Sequence, residues 1–137
     1  MPSASSQDWV KETAGDLAAA EKLLAGTSPT LRGEPDRSQL ASIWEAYVLV
    51  EKSVAFIKVE LGEENPGRFV NAKVYVVPDE RQAVEFALRH LRDAAENFGA
   101  GRLPESLKVL RESRNYLRVL LRRKRLLRAR NARAARA

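Results

Sequence analysis

Arg111, Arg114, Arg118, Arg122 and Arg125 follow one another at steps of three, four, four and three residues, the spacing that lines side chains along one stripe of an α-helix. Such a stripe is about 21 Å long at a rise of about 1.5 Å per residue. A guanidinium is planar and permanently charged, and it offers paired N–H donors that match a phosphate, so a row of them is suited to a nucleic-acid backbone. Arg123, Lys124, Arg128, Arg130, Arg133 and Arg136 continue the field toward the C-terminus. From Arg111 onward eleven basic residues face one acidic residue, a net +10, whereas the first 110 residues hold thirteen basic and seventeen acidic, a net −4. Asymmetry of this kind points to a polyanionic partner, RNA or DNA, with an acidic protein surface as the alternative. The expected binding set is Arg111, Arg114, Arg118, Arg122, Arg123, Lys124, Arg125 and Arg128. Tyr116 is the only aromatic residue after Phe98, so the pattern favours phosphate contacts over base stacking. A membrane surface fits less well, because the helix face opposite the Arg stripe is apolar and committed to a core.

Other chemistries find few residues to carry them. With no cysteine in 137 residues, thiolate catalysis, disulfides, iron–sulfur clusters and cysteine-based zinc sites are excluded. His90 is the sole histidine and no nucleophile motif accompanies it, so a surface or half-buried helix residue is expected. The carboxylates of Glu60, Glu63 and Glu64 cluster at a helix end, yet no Glu-x-x-His pair of the di-iron kind and no glycine-rich phosphate loop is present. We therefore expect a protein without catalytic residues, metal or cofactor. The first residues lack the features of a secretory signal and no segment reaches the roughly 20 apolar residues of a membrane span, which predicts a cytoplasmic protein.

The elements that must position these residues are helices. Leu40, Ile43, Trp44, Tyr47, Val50, Val54, Ile57 and Leu61 recur at steps of three and four. Ala41, Val48, Ala55 and Val59 widen that stripe beyond half a cylinder, which predicts a central helix needing several neighbours. Asp36 with Gln39, and Asp79 with Gln82, have capping-box spacing, and Gly62 suits a left-handed cap. Prolines and glycines between Gly26 and Pro35 read as a loop, and Val74 to Val77 as an extended stretch. Pro104 suits a first helical turn after Gly99-Ala100-Gly101. The spacing thus predicts helices over 8–25, 37–61, 80–98 and 104–128, assembled as an all-α, up-and-down four-helix bundle with a long basic C-terminal helix. Residues 1–128 form the domain and 129–137 a basic tail. Leu49 and Phe56, seven residues apart on the otherwise polar side of the central helix, are the expected contacts of a homodimer.

Trp9-x-x-x-Thr13-Ala14-x-Asp16-Leu17-x-Ala19-Ala20-x-x-Leu23-Leu24, followed by Ala46-Tyr47-x-x-x-Glu51-Lys52-x-x-x-x-x-Lys58, resembles the opening two helices of HEPN-type bundles over about the first 62 residues. Catalytic members of that family carry Arg, four to six residues, then His. Here eight residues separate Arg81 from His90. The resemblance implies a helical binding or partner module, often dimeric, and not a ribonuclease.

Overall fold

The computed structural model describes the backbone of residues 2–62 and 79–136 and the side chains of 8–62 and 79–122. The described residues form four α-helices: α1 (Pro2–Thr27), α2 (Arg37–Leu61), α3 (Glu80–Gly99) and α4 (Leu103–Arg136), with a 3₁₀ turn at Ser28–Thr30. The expected all-α bundle is present. Two boundaries differ from the sequence reading. α1 begins at Pro2, and α4 runs through the residues expected to form a tail, because the Ala- and Arg-rich segment after Leu127 holds good helix formers and no breaker. The extended stretch expected at 74–77 lies outside the described residues.

Local chemistry explains where the helices start and stop. Asp36 Oδ1 accepts from the Gln39 amide at 2.8 Å while Gln39 Oε1 accepts from the Asp36 amide at 2.9 Å, a reciprocal cap that satisfies two otherwise orphaned donors of α2. Asp79 caps α3 by accepting from the Gln82 amide at 2.7 Å. Gly62 ends α2 at φ 72°, its N–H reaching the Lys58 and Val59 carbonyls; a residue with a Cβ would be strained there. Gly101, at φ 78°, gives the reversal between α3 and α4.

The helices form a ring in the order α1, α2, α4, α3, and among the described residues no Cα atoms of the diagonal pairs come within 8 Å of each other. Every neighbouring pair is antiparallel. Trp9 and Lys52 meet Phe56 and Glu12 across α1 and α2; Trp9 and Glu21 meet Phe98 and Arg92 across α1 and α3; Ser106 and Ser113 meet Ala94 and Ala87 across α4 and α3. The connectivity departs from a simple up-and-down chain, because α2 and α3 are diagonal and run the same way. The end of α2 and the start of α3 therefore lie at opposite ends of the bundle.

Small residues let α3 and α4 approach closely. Ala83, Ala87 and Ala94 are fully buried, as are Ser106 and Ser113. The hydroxyls of Ser106 and Ser113 donate to the carbonyls of Ala94 and Ala87 at 2.8 and 2.7 Å. Two residues seven apart on one helix thus clip two residues seven apart on the other. Around this seam Leu17, Leu24, Ile43, Val50, Ile57, Leu91, Leu110 and Leu117 form the apolar centre, each worth about 1.5–3 kcal/mol on full burial. Trp9, stacked on Phe56 at 6.5 Å and edge-on to Phe98 at 5.8 Å, fills one end.

The circumference of α2 is covered less completely than its sequence suggests. Ile43, Val50, Val54 and Ile57 are buried, but Trp44, Val48 and Val59 are 55%, 44% and 79% exposed, and Ala41 and Ala55 are exposed beside them. Two flanking helices and one diagonal helix leave the outward corner open. The expected dimer contacts fall on the other side. Leu49 packs against the core and Phe56 stacks on Trp9, because α1 occupies the side of α2 that the sequence pattern left free.

Candidate nucleic-acid interface

The Arg stripe of α4 runs along the seam that this helix makes with α2, and the seam divides it. Leu110, Leu117 and Leu120 set the buried face of α4, and position 114 is the Arg position nearest that face at 100° per residue. Arg114 is accordingly only 6% exposed. Its Nε stands 3.4 Å from Glu51 Oε1, an ion pair too long and poorly aligned to be a strong hydrogen bond. Arg118 Nη2 lies 4.0 Å from the other carboxylate oxygen of Glu51, with its side chain 50% exposed. Arg111 is half-buried and engaged within the bundle. Arg122 is exposed.

Of the expected binding set, Arg114 is thus withdrawn into the fold, Arg111 is partly withdrawn, and Arg118 and Arg122 face solvent. Arg123, Lys124, Arg125 and Arg128 continue on α4, and their side chains lie outside the described residues. Burying Arg114 without a partner would be costly. Glu51 offsets that cost, and in doing so removes one guanidinium from any phosphate-binding role.

On the opposite flank of α2, Lys52 bridges two residues of α1, at 2.7 Å to Glu12 and 3.2 Å to Asp16. Its hydrogen bonds to Glu12 first, and then to Asp16, raise the ammonium above its ordinary value, since both favour the charged form. A lysine held this way is a clamp between α1 and α2, not a base. An open cleft of about 630 Å³ lies where α1 ends and α2 begins, edged by Lys22, Thr30, Gln39, Ser42 and Glu45. Gln39 donates there to the Thr30 carbonyl at 3.0 Å, so its amide is already used in tying the 3₁₀ turn to the start of α2.

His90 is half-buried on α3. Its Nδ1 is 2.7 Å from the Phe86 carbonyl, which accepts, so this nitrogen carries the proton. The ring packs against Tyr116 at 5.6 Å, and Tyr116 lies 5.4 Å from Phe86. Tyr116 therefore belongs to the α3 side of α4, away from the Arg stripe. Of the carboxylates near the end of α2, Glu60 is exposed, and Glu63 and Glu64 lie outside the described residues. Among the described residues no group of three or more His, Cys, Asp or Glu is placed to hold a metal ion. No described helix is long and apolar enough to cross a membrane.

A residue that sequence reasoning missed stands beside the seam. Trp44 and Tyr47 of α2 are in ring contact at 5.6 Å. Trp44 precedes Glu51 by seven residues, which puts it near the same edge of α2, the edge that faces α4. The heptad step from Trp44 to Glu51 was the available signal, but it acquires meaning only once Glu51 is known to meet α4. The bundle thus has one basic edge with an aromatic pair at its side. Comparison with protein-family models, with curated proteins and with solved structures gives no match.

Proposed function

We propose that this chain is a cytoplasmic, non-enzymatic helical-bundle module that contacts the phosphate backbone of nucleic acid along the α4 edge. The observation that carries this reading is the uncompensated charge of α4: after Glu112 the sequence holds ten basic residues and no acidic one, on a helix that continues to Arg136. Glu51 answers Arg114 and is shared with Arg118, and Arg122 is open to solvent. Phosphate contacts made from one side of a helix position a partner without reading its bases.

The test is a salt titration of binding to duplex DNA, structured RNA and single strands. Each phosphate neutralised on duplex contributes about −0.9 to the slope of log affinity against log salt, so Arg118→Gln with Arg122→Gln flattens it by about 1.8. Arg114→Gln leaves the slope nearly unchanged and lowers stability instead. Absence of binding to all three nucleic acids at low salt would overturn the reading.

A second reading, a protein-binding module, is favoured by the open apolar corner of α2, above all Val59 at 79% exposed. The resemblance to HEPN-type partner modules points the same way, toward a dimer or an acidic protein docked on α4. It predicts that Val59→Ser lowers self-association or partner affinity, read by sedimentation, while nucleic-acid binding stays negligible.

A further inference from the structure

We infer that the upper part of the α2/α4 seam is a stacking site for an unpaired base, which makes single-stranded nucleic acid the favoured partner class. This rests on the phosphate-contact reading above and adds what the Arg stripe alone cannot give, a preference between paired and unpaired strands.

Trp44 is 55% exposed, an unusual setting for the largest apolar side chain. It is not loose, because Tyr47 meets it at 5.6 Å with ring planes 31° apart, and Tyr47 is itself packed against the core. The ring is therefore held from one side and open on another. A pre-positioned indole of this kind binds a base without a large loss of side-chain freedom. The position along the bundle matters equally. Glu51 reaches Arg114 and Arg118, and Trp44 lies two turns of α2, about 10.5 Å, before Glu51. Because α2 and α4 are antiparallel, going from Glu51 toward Trp44 is also going from Arg118 toward Arg122. Trp44 is thus level with the turn of α4 that follows Arg118 and contains Arg122. An aromatic face and exposed guanidiniums stand side by side, the pairing of stacking platform and phosphate contact by which single strands are bound without sequence preference.

Duplex does not satisfy this arrangement. Paired bases are stacked on each other and present only edges in the grooves, so Trp44 on a convex helix face has no base plane to meet. A single strand can turn one base onto the indole while its phosphates follow Arg118 and Arg122. The apolar neighbour Val48, 44% exposed, extends the surface on which such a base would rest.

The experiment uses the full chain with Trp9→Phe, so that Trp44 is the only indole. Fluorescein-labelled oligothymidylate, an abasic strand of equal length and charge, and a duplex of equal length are titrated by fluorescence anisotropy at several salt concentrations, with indole emission followed in parallel for the Trp9→Phe parent. Oligothymidylate is expected to quench Trp44 and to bind more tightly than the abasic strand. Trp44→Ala is expected to lower oligothymidylate affinity about tenfold, to leave abasic-strand affinity and the salt slope unchanged, and to be largely rescued by Trp44→Phe. Because Trp44 is exposed, its replacement is expected to keep the melting temperature close to that of the parent, and thermal unfolding checks this. Intact strand binding that is indifferent to Trp44→Ala would overturn the inference while leaving the phosphate reading standing. A change in sedimenting mass on Trp44→Ala, with strand binding unaltered, would overturn it in favour of a protein contact. Loss of all nucleic-acid binding in the parent would instead remove the reading beneath it.

Discussion

Replacing Glu51 by Gln should move stability and polyanion affinity in opposite directions. The carboxylate is 3.4 Å from Arg114, whose side chain is 7% exposed, while its own side chain is 37% exposed. Removing one member of a fully buried ion pair costs about 3–5 kcal/mol, and solvent at the open third of Glu51 offsets part of that, so a loss of about 2 kcal/mol is expected. For a chain of this size that corresponds to a melting temperature lower by about 8 °C. Arg118 meanwhile loses the carboxylate 4.0 Å away and becomes fully available to phosphate, so affinity for single strands should rise and the salt slope steepen by at most about 0.7. Urea denaturation and a salt titration on the same variant read both effects. Glu51→Leu combined with Arg114→Met should recover most of the stability, since two apolar groups in place of a buried pair leave no unpaired charge. A Glu51→Gln protein within about 0.5 kcal/mol of the parent would refute the claim that Arg114 depends on Glu51.

Two further outcomes test the packing. Ala87→Leu, at a fully buried position whose carbonyl accepts from Ser113, should force α3 and α4 apart and cost about 1–3 kcal/mol by overpacking; an unchanged urea midpoint would show that the seam is not tight. The Lys52 clamp makes a prediction about pH. Its pKa is raised above the ordinary 10.5 by Glu12 and Asp16, so its contribution is fully present below that value and is lost as pH rises through the raised one. Lys52→Met should therefore lower the melting temperature at neutral pH and weaken its further fall at strongly alkaline pH, and an alkaline limb identical to the parent's would count against the clamp.

The order of the four described helices and their inner ends were legible in the sequence, because caps, breakers and three-four periodicity are local, whereas the start of α1 and the end of α4 run past the expected bounds. Asp36 with Gln39, Asp79, Gly62 and Gly101 act where their types and positions say they should. The sequence by itself determined equally that positive charge is concentrated in α4, which is a matter of composition. Periodicity reports which residues share a face, but not which neighbour that face meets. Leu49 and Phe56 therefore read as surface contacts until α1 is seen to cover them, and Trp44, Val48 and Val59 read as core until the corner of α2 is seen to be open. Arg114 belonged to an unbroken stripe in sequence, and only the burial of its position where α4 meets α2, a helix more than fifty residues earlier, sets it apart from Arg118 and Arg122. The same long-range pairing brings Trp44 beside the basic edge. Tertiary structure alone decides these points, because burial and electrostatic partnership depend on what the rest of the chain places within a few ångströms.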